Sequence, residues 1–306
     1  MYFILAQPAI QRFQWELDVC LNNLKSLGVT NIILLFTKYN ATVPKYFEEK
    51  YGARCYVYPD DNTSKKYIPS VKPYLFWQFL KHNPQFENED FFYMDSDVIF
   101  RELPDFTKFK DNNNNNNKIW YGSDCTGYLG TDYIDSKGKD LVTKMSNLVG
   151  VNETDIRKYC KVAPGAQWLI RKPQAKYWHK VYIDCITLYR FFCKNEQIYI
   201  NAHGLGYTPI QKWTAEMWAQ LYNMPLFGIM PMVSKELEFC WATDDIKRWY
   251  ETKIYHNAGV TSDMHNHLFF KGAYVRESPI GKNFNWVNKN KCSCKYVQAM
   301  LKLSCE

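Results

Sequence analysis

The chain has no apolar run approaching the roughly 18 residues that a membrane span needs, and no C-x-x-C pair that would mark a zinc site or a dithiol motif. Its first residues, Met1-Tyr2-Phe3-Ile4-Leu5-Ala6-Gln7, carry no basic stretch ahead of the apolar part, and that part is too short for an export signal. They read as a first strand, and the expected location is the cytoplasm. Internal repeats are missing, and no linker divides the sequence. The ten cysteines are scattered; Cys292 and Cys294 are the closest pair, and Cys20, Cys160, Cys185 and Cys193 fall in helical patterns, where a reduced thiol packs as a small hydrophobe.

What is present suffices for a large core: 306 residues, 46% hydrophobic and 17% aromatic. The net charge of +7 is uneven. Residues 271–306 hold seven basic residues and two acidic ones, so this segment supplies +5 of it. With Phe284, Trp286 and Tyr296 interleaved, such a segment could track a nucleic-acid backbone, or it could be a solvated basic surface. Asn112 to Asn117 is a low-complexity run read as a surface loop.

The first hundred residues alternate strand and helix. A strand over 2–7 is followed by a helix over 9–27 with Ile10, Phe13, Leu17 and Leu24 at helical spacing, ended by Gly28. A continuous apolar strand covers 31–36, a short helix 43–51 stops at Gly52, a third strand covers 54–58, and a helix covers 71–82. This is the pattern of an α/β fold with a mostly parallel sheet and ligands beyond the carboxyl ends of its strands. Further on, the expected elements are a strand at 118–121, helices at 137–149 and 153–160, a strand at 166–171, a helix over 173–194, a strand at 196–200, a helix capped by Thr214, and a strand at 253–255.

Phe91-Phe92-Tyr93-Met94-Asp95-Ser96-Asp97-Val98-Ile99-Phe100 reads as one buried strand interrupted by two carboxylates. Burying both is expensive unless a cation compensates them, and hard oxygen ligands suit Mg²⁺ or Mn²⁺ with positions left for substrate phosphates. Ser96 lies between them. His256-Asn257-Ala258-Gly259 follows a strand, and its small residues allow close backbone approach, which makes His256 a candidate third ligand; a structural histidine is the competing reading. Glu216 is flanked by Trp213, Met217 and Trp218. It is either a helix-dipole carboxylate or a proton-transfer group in an apolar setting. Gln167 can hydrogen-bond hydroxyls. Asp60 and Asp61 can accept from a base or ribose or form an Asx-turn, and Lys72 can reach phosphates or lie in solvent.

Together these segments resemble the metal-dependent nucleotide-sugar glycosyltransferases of the GT-A fold. Tyr93-Met-Asp-Ser-Asp-Val98 resembles their Asp-x-Asp site, His256-x-x-Gly259 their C-terminal metal ligand, and Gly165-Ala-Gln-Trp-Leu-Ile170 their acceptor-side strand. Trp213-Thr-Ala-Glu-Met-Trp-Ala219 is similar to a segment of hydroxyproline arabinosyltransferase and peptidyl-serine galactosyltransferase relatives. The resemblance implies one domain over 1–306, with a nucleotide-sugar half over 1–101, an acceptor half over 118–275 and a basic segment over 276–306. It implies Asp95, Asp97 and His256 on Mn²⁺ or Mg²⁺; Ala6, Gln7, Pro8, Asp60, Lys72, Ser96 and Lys271 on a UDP-sugar; and Glu216 and Gln167 in catalysis. The family often has a lysine within three residues of His-x-x-Gly; here Lys271 comes twelve residues after Gly259. The acceptor suggested by the basic segment is a hydroxymethylated pyrimidine in phage-type DNA, in the host cytoplasm. Two other classes fit parts of the pattern. Haloacid dehalogenase-like phosphatases share an apolar strand running into Asp-x-Asp, with Asp244-Asp245 as a second acidic pair, and a non-enzymatic nucleic-acid-binding protein would use the basic segment alone.

Overall fold

The structure, a computed structural model, describes residues 1–60, 67–109 and 118–304. The Asn112–Asn117 run, Asp61 and Cys305 lie outside them. Among the described residues the protein is mixed α/β, built on a seven-stranded sheet of order β3 (Arg54–Tyr58), β2 (Ile32–Thr37), β1 (Tyr2–Pro8), β4 (Asp90–Tyr93), β7 (Pro164–Arg171), β6 (Lys118–Asp124), β8 (Ile229–Val233) and a three-stranded sheet of order β5 (Val98–Phe100), β10 (Ile254–His256), β9 (Phe239–Trp241). No helix among them is long and apolar enough to cross a membrane. The chain divides into two compact units, each assembled from separated segments.

One unit takes in Tyr2–Val57, Met94–Lys108 and Glu236–Glu306. It opens with β1 (Tyr2–Pro8) and β2 (Ile32–Thr37), parallel and almost wholly buried, as continuous apolar runs covered on both faces should be. Between them lies α1 (Gln11–Ser26), whose buried face includes Trp15, Leu17, Val19, Leu21 and Leu24. α2 (Thr42–Tyr51) stops at Gly52, whose φ of 66° is the left-handed conformation a helix end adopts most cheaply at glycine. β3 (Arg54–Tyr58) follows.

Later segments of this unit depart from the sequence reading. The expected single strand over 91–100 is two: β4 (Asp90–Tyr93) in the large sheet and β5 (Val98–Phe100) in the small one. The apolar residues on either side are strand, but the two carboxylates sit in the turn between them. β9 (Phe239–Trp241), α10 (Ile246–Glu251) and α11 (Ser293–Leu303) carried no clear signal. β10 (Ile254–His256) includes the histidine itself. The basic C-terminal segment is not a solvated tail: Phe284 and Tyr296 are buried in one cluster with Trp15, Tyr255 and Phe269, and of the three interleaved aromatics only Trp286 is exposed.

The other unit takes in Tyr58–Tyr93 and Phe109–Lys235, with Met1. α3 (Val71–His82) packs Phe76 against Phe91 and Trp178, at 5.5 and 4.6 Å between ring centroids. β7 (Pro164–Arg171) runs antiparallel to both β4 and β6 (Lys118–Asp124), and β6 is parallel to β8 (Ile229–Val233). Where one helix was expected over 137–149, α4 (Thr126–Leu129) and α5 (Thr131–Lys137) come first and a turn at Gly138 separates α6 (Leu141–Val149); α7 (Glu153–Tyr159) follows. The helix expected over 173–194 is α8 (Ala175–His203), and it absorbs the expected strand at 196–200. Its last turns are held by contacts at helical spacing, Gln197 Nε2 to Asn201 Oδ1 at 2.8 Å and the His203 ring to the Tyr199 carbonyl at 2.8 Å. Thr214 stands at the N-cap of α9 (Ala215–Asn223), but its hydroxyl donates back to the Gln211 carbonyl and caps nothing.

Candidate metal and donor site

The turn between β4 and β5 is fixed from several directions. The Asn23 side chain pairs with both backbone groups of Phe100, in the manner of a missing strand. β10 pairs antiparallel with β5 so that His256 stands opposite Val98, and Asn257 N–H donates to the Asp97 carbonyl at 2.9 Å. This register, rather than anything local to either segment, brings the last residue of β10 beside Asp95-Ser96-Asp97. The chain turns away at Gly259, whose φ of 84° requires glycine.

Nε2 of His256 lies 3.3 Å from Oδ1 of Asp97 and 3.7 Å from Oδ2 of Asp95, and one ligand atom from each of the three residues falls within 4.8 Å of the others. Asp97 is 3% and His256 8% exposed, while Asp95 is half-buried. The other oxygen of Asp97, Oδ2, accepts from the Lys271 ammonium. Burial alone would push the Asp97 carboxyl up; Lys271 and His256 outweigh it and hold the group well below the usual carboxylate range. The Trp241 ring stacks on the imidazole at 5.7 Å, and its buried Nδ1 has no hydrogen-bond partner among the described residues.

These groups fit Mn²⁺ or Mg²⁺. Neighbouring ligands of an octahedral ion at about 2.1 Å are about 3 Å apart, close to the separations seen, and the set is two carboxylates and an imidazole. Lys271 occupies the Asp97 oxygen that does not face His256, so the lysine and an ion can be accommodated together.

Three residues escaped the sequence reading, and the first two are Glu16 and Arg12. Ser96 Oγ donates to Glu16 Oε2 at 2.8 Å, and Arg12 Nε donates to Glu16 Oε1 at 3.0 Å. The available signal was the acidic residue inside the apolar α1 stretch Trp15-Glu16-Leu17. Ala6, Gln7 and Pro8 end β1, with Gln7 Nε2 buried and unpartnered among the described residues. Pro8 is in register with Thr37 of β2, whose buried hydroxyl is also unpartnered and was likewise missed. Two orphaned polar groups at neighbouring carboxyl ends are what a bound ligand would satisfy.

The remaining candidates belong to the other unit. Lys72 Nζ lies 3.4 Å from Oε2 of the buried Glu216, whose N–H donates to the Tyr67 hydroxyl at 3.2 Å. That hydroxyl donates in turn to the carbonyl of Trp213, an indole 56% exposed. Asp60 is half-buried after β3. Gln167 sits in an irregularity of β7: Trp168 pairs with Gly122, but Gly165 pairs with Ser123, leaving Ala166 and Gln167 outside the ladder. Ala166 has a φ of 56°, strained for a residue with a Cβ, and a Cβ on Gly165 would come within 2.8 Å of Leu129 and Met217. Both amide atoms of Gln167 are buried and without a partner among the described residues.

No protein-family model matches the chain, and no curated protein matches it in sequence. Among solved structures it is similar to the bifunctional glycosyltransferase WbbM, at 9% identity and a TM-score of 0.48 over 98% of this chain and 49% of that one, so it spans about half of WbbM. It is also similar to the galactosyltransferase LgtC in complex with donor and acceptor sugar analogues (11% identity, TM-score 0.48, 98% of this chain and 95% of that one). Mouse xyloside xylosyltransferase 1 gives 10% identity and a TM-score of 0.40 over 84% of this chain and 96% of that one. These likenesses are too distant to assign an activity.

Proposed function

We propose that the chain is a metal-dependent glycosyltransferase of the GT-A type that moves a sugar from a UDP-sugar to an acceptor hydroxyl. The observation that carries this reading is the convergence of Asp95, Asp97 and His256, with Lys271 on the second oxygen of Asp97. When bound, Mn²⁺ or Mg²⁺ would supply charge stabilisation to a leaving diphosphate. Lys271 is the cation at hand for the same phosphates, while Lys72, in the other unit, is the partner of Glu216. Ala6, Gln7 and Pro8 hold the base. Ser96 contributes through the turn it fixes, because its hydroxyl is engaged by Glu16.

Transfer passes through an oxocarbenium-like state, as in glycoside hydrolysis. Gln167 has an unpaired amide to offer a sugar or acceptor hydroxyl or the developing cation. Glu216 is the base if the anomeric centre inverts, and a stabilising anion if it is retained, as in the families its segment resembles. Residues 1–101 are read as the donor half and 118–275 as the acceptor half.

The alternatives lose their supporting residues. Asp244 accepts from Trp241 N–H at 2.8 Å and Asp245 from Lys247 N–H at 3.0 Å, so the second acidic pair a phosphatase would need is spent on turn and helix caps. Burial of Phe284 and Tyr296 removes most of the stacking face that a nucleic-acid partner or a DNA acceptor would use.

A thermal-shift screen of nucleotide sugars with and without Mn²⁺ tests the reading. A UDP-sugar at a hundred times its Kd should stabilise the native state by about 2.7 kcal/mol, and only with the metal present. No shift with any nucleotide sugar, or phosphate release from p-nitrophenyl phosphate, would contradict it.

A further inference from the structure

Glu16 is 1% exposed on α1, and its role in the site reaches beyond its place in the core. Burial pushes its carboxyl up, against the pull of Lys271 and Arg12. Both oxygens nevertheless act as acceptors, from the Arg12 guanidinium at 3.0 Å and the Ser96 hydroxyl at 2.8 Å. Ser96 is the middle residue of the turn, so Glu16 grips the segment that carries both aspartates.

The charges around it alternate. Lys271 binds Asp97 and is attracted to Glu16 as well, while Arg12 binds Glu16 and is attracted to Asp97. Asp95, Asp97 and Glu16 set three negative charges against the two positive ones of Arg12 and Lys271. Without Glu16 the two aspartates would be cancelled by the two cations, and a divalent ion would enter a site with no net attraction for it.

We propose that Glu16 is a positioning residue for the divalent ion: it fixes the Asp-Ser-Asp turn through Ser96 and offsets Arg12, so that a metal and two basic side chains can share one small site. This rests on the metal site proposed above. The arrangement makes metal affinity depend on the balance of charge between Glu16 and Arg12, which a purely structural carboxylate would not.

Mn²⁺ binding, read from the electron paramagnetic resonance signal of the free ion at neutral pH, tests it without any sugar substrate. Glu16→Gln keeps the shape and an acceptor for Ser96, and should weaken Mn²⁺ binding about tenfold through the lost charge. Adding Arg12→Gln to it restores the charge balance and should bring affinity back to within about threefold of wild type. Arg12→Gln alone should tighten Mn²⁺ binding, and it keeps the test alive if Glu16→Gln fails to fold. Unchanged Mn²⁺ affinity in a folded Glu16→Gln, a double variant no better than the single one, or an Arg12→Gln that binds Mn²⁺ no more tightly than wild type would each overturn the proposal. A wild-type protein that binds no Mn²⁺ would instead overturn the metal site itself.

Discussion

Oδ1 of Asp97 faces Nε2 of His256 at 3.3 Å, leaving Oδ2 for the Lys271 ammonium. One carboxylate thus serves two partners from the far end of the chain, and the two aspartates of the turn become unequal. Asp97 is buried and paired with a lysine; Asp95 is more open. Asp97→Asn leaves Lys271 without its closest anion and should cost about 3 kcal/mol in urea unfolding as well as metal binding. Asp95→Asn should lower metal binding equally but cost under about 1 kcal/mol of stability.

Gln167 has a buried amide with no partner among the described residues. Gln167→Leu is close in size and removes the unmet polar atoms, so it should raise stability by about 1–2 kcal/mol in denaturant titration. Sugar transfer should fall at least about tenfold in the same variant. A loss of stability would mean the amide is structurally satisfied.

Ala166 adds a backbone test. At its φ of 56° glycine relieves strain but gains freedom in the unfolded chain, so Ala166→Gly should stay within about 0.5 kcal/mol of wild type. The β-branched Ala166→Val should cost about 2 kcal/mol, measured in the same titration.

Glu236 gives a pH dependence away from the metal site. Although burial pushes its carboxyl up, hydrogen bonds from Lys108, Lys253 and the Asp105 N–H bring it down to about 2 from an ordinary 4.5. The folded value is the depressed one, so its stabilisation is present above the ordinary value and disappears as pH falls from about 4.5 through about 2. Glu236→Gln should therefore destabilise the protein by about 1–2 kcal/mol near neutrality, with the difference from wild type vanishing across that acid window.

Tyr296 tests the reading of the C-terminal segment as part of a core. It is fully buried and stacks near Phe269, at 5.7 Å between ring centroids. Tyr296→Ala should cost about 3–5 kcal/mol in chemical denaturation. A solvated basic tail would lose nothing.

Much of the first hundred residues was legible because local signals agreed with the fold. β3 and α3 fall on the expected residues, and Gly52 stops α2 where its conformational freedom is needed. The metal candidates could be named because paired carboxylates inside an apolar run are costly in any fold. The break at 94–97 was not legible, because it is made by pairing of β5 with β10, and nothing within ten residues of Asp95 records that partner. The C-terminal turns of α8 read as a strand because Ile198-Tyr199-Ile200 has β-type composition; side-chain contacts at helical spacing overrule it. Glu16 was hidden by its own helix, whose amphipathic pattern absorbs one acidic residue without comment. Lys271 lies too far from Gly259 for the family spacing, yet the fold returns it to Asp97.

Asp97 and its neighbours are proposed to hold a metal on a nucleotide diphosphate. The most direct measurement is calorimetric titration of UDP into the wild-type protein and into Asp97→Asn, each with and without Mn²⁺. UDP binding should depend on Mn²⁺ in the wild type and be lost in the variant. UDP binding of equal strength with and without Mn²⁺, or undiminished in Asp97→Asn, would contradict it.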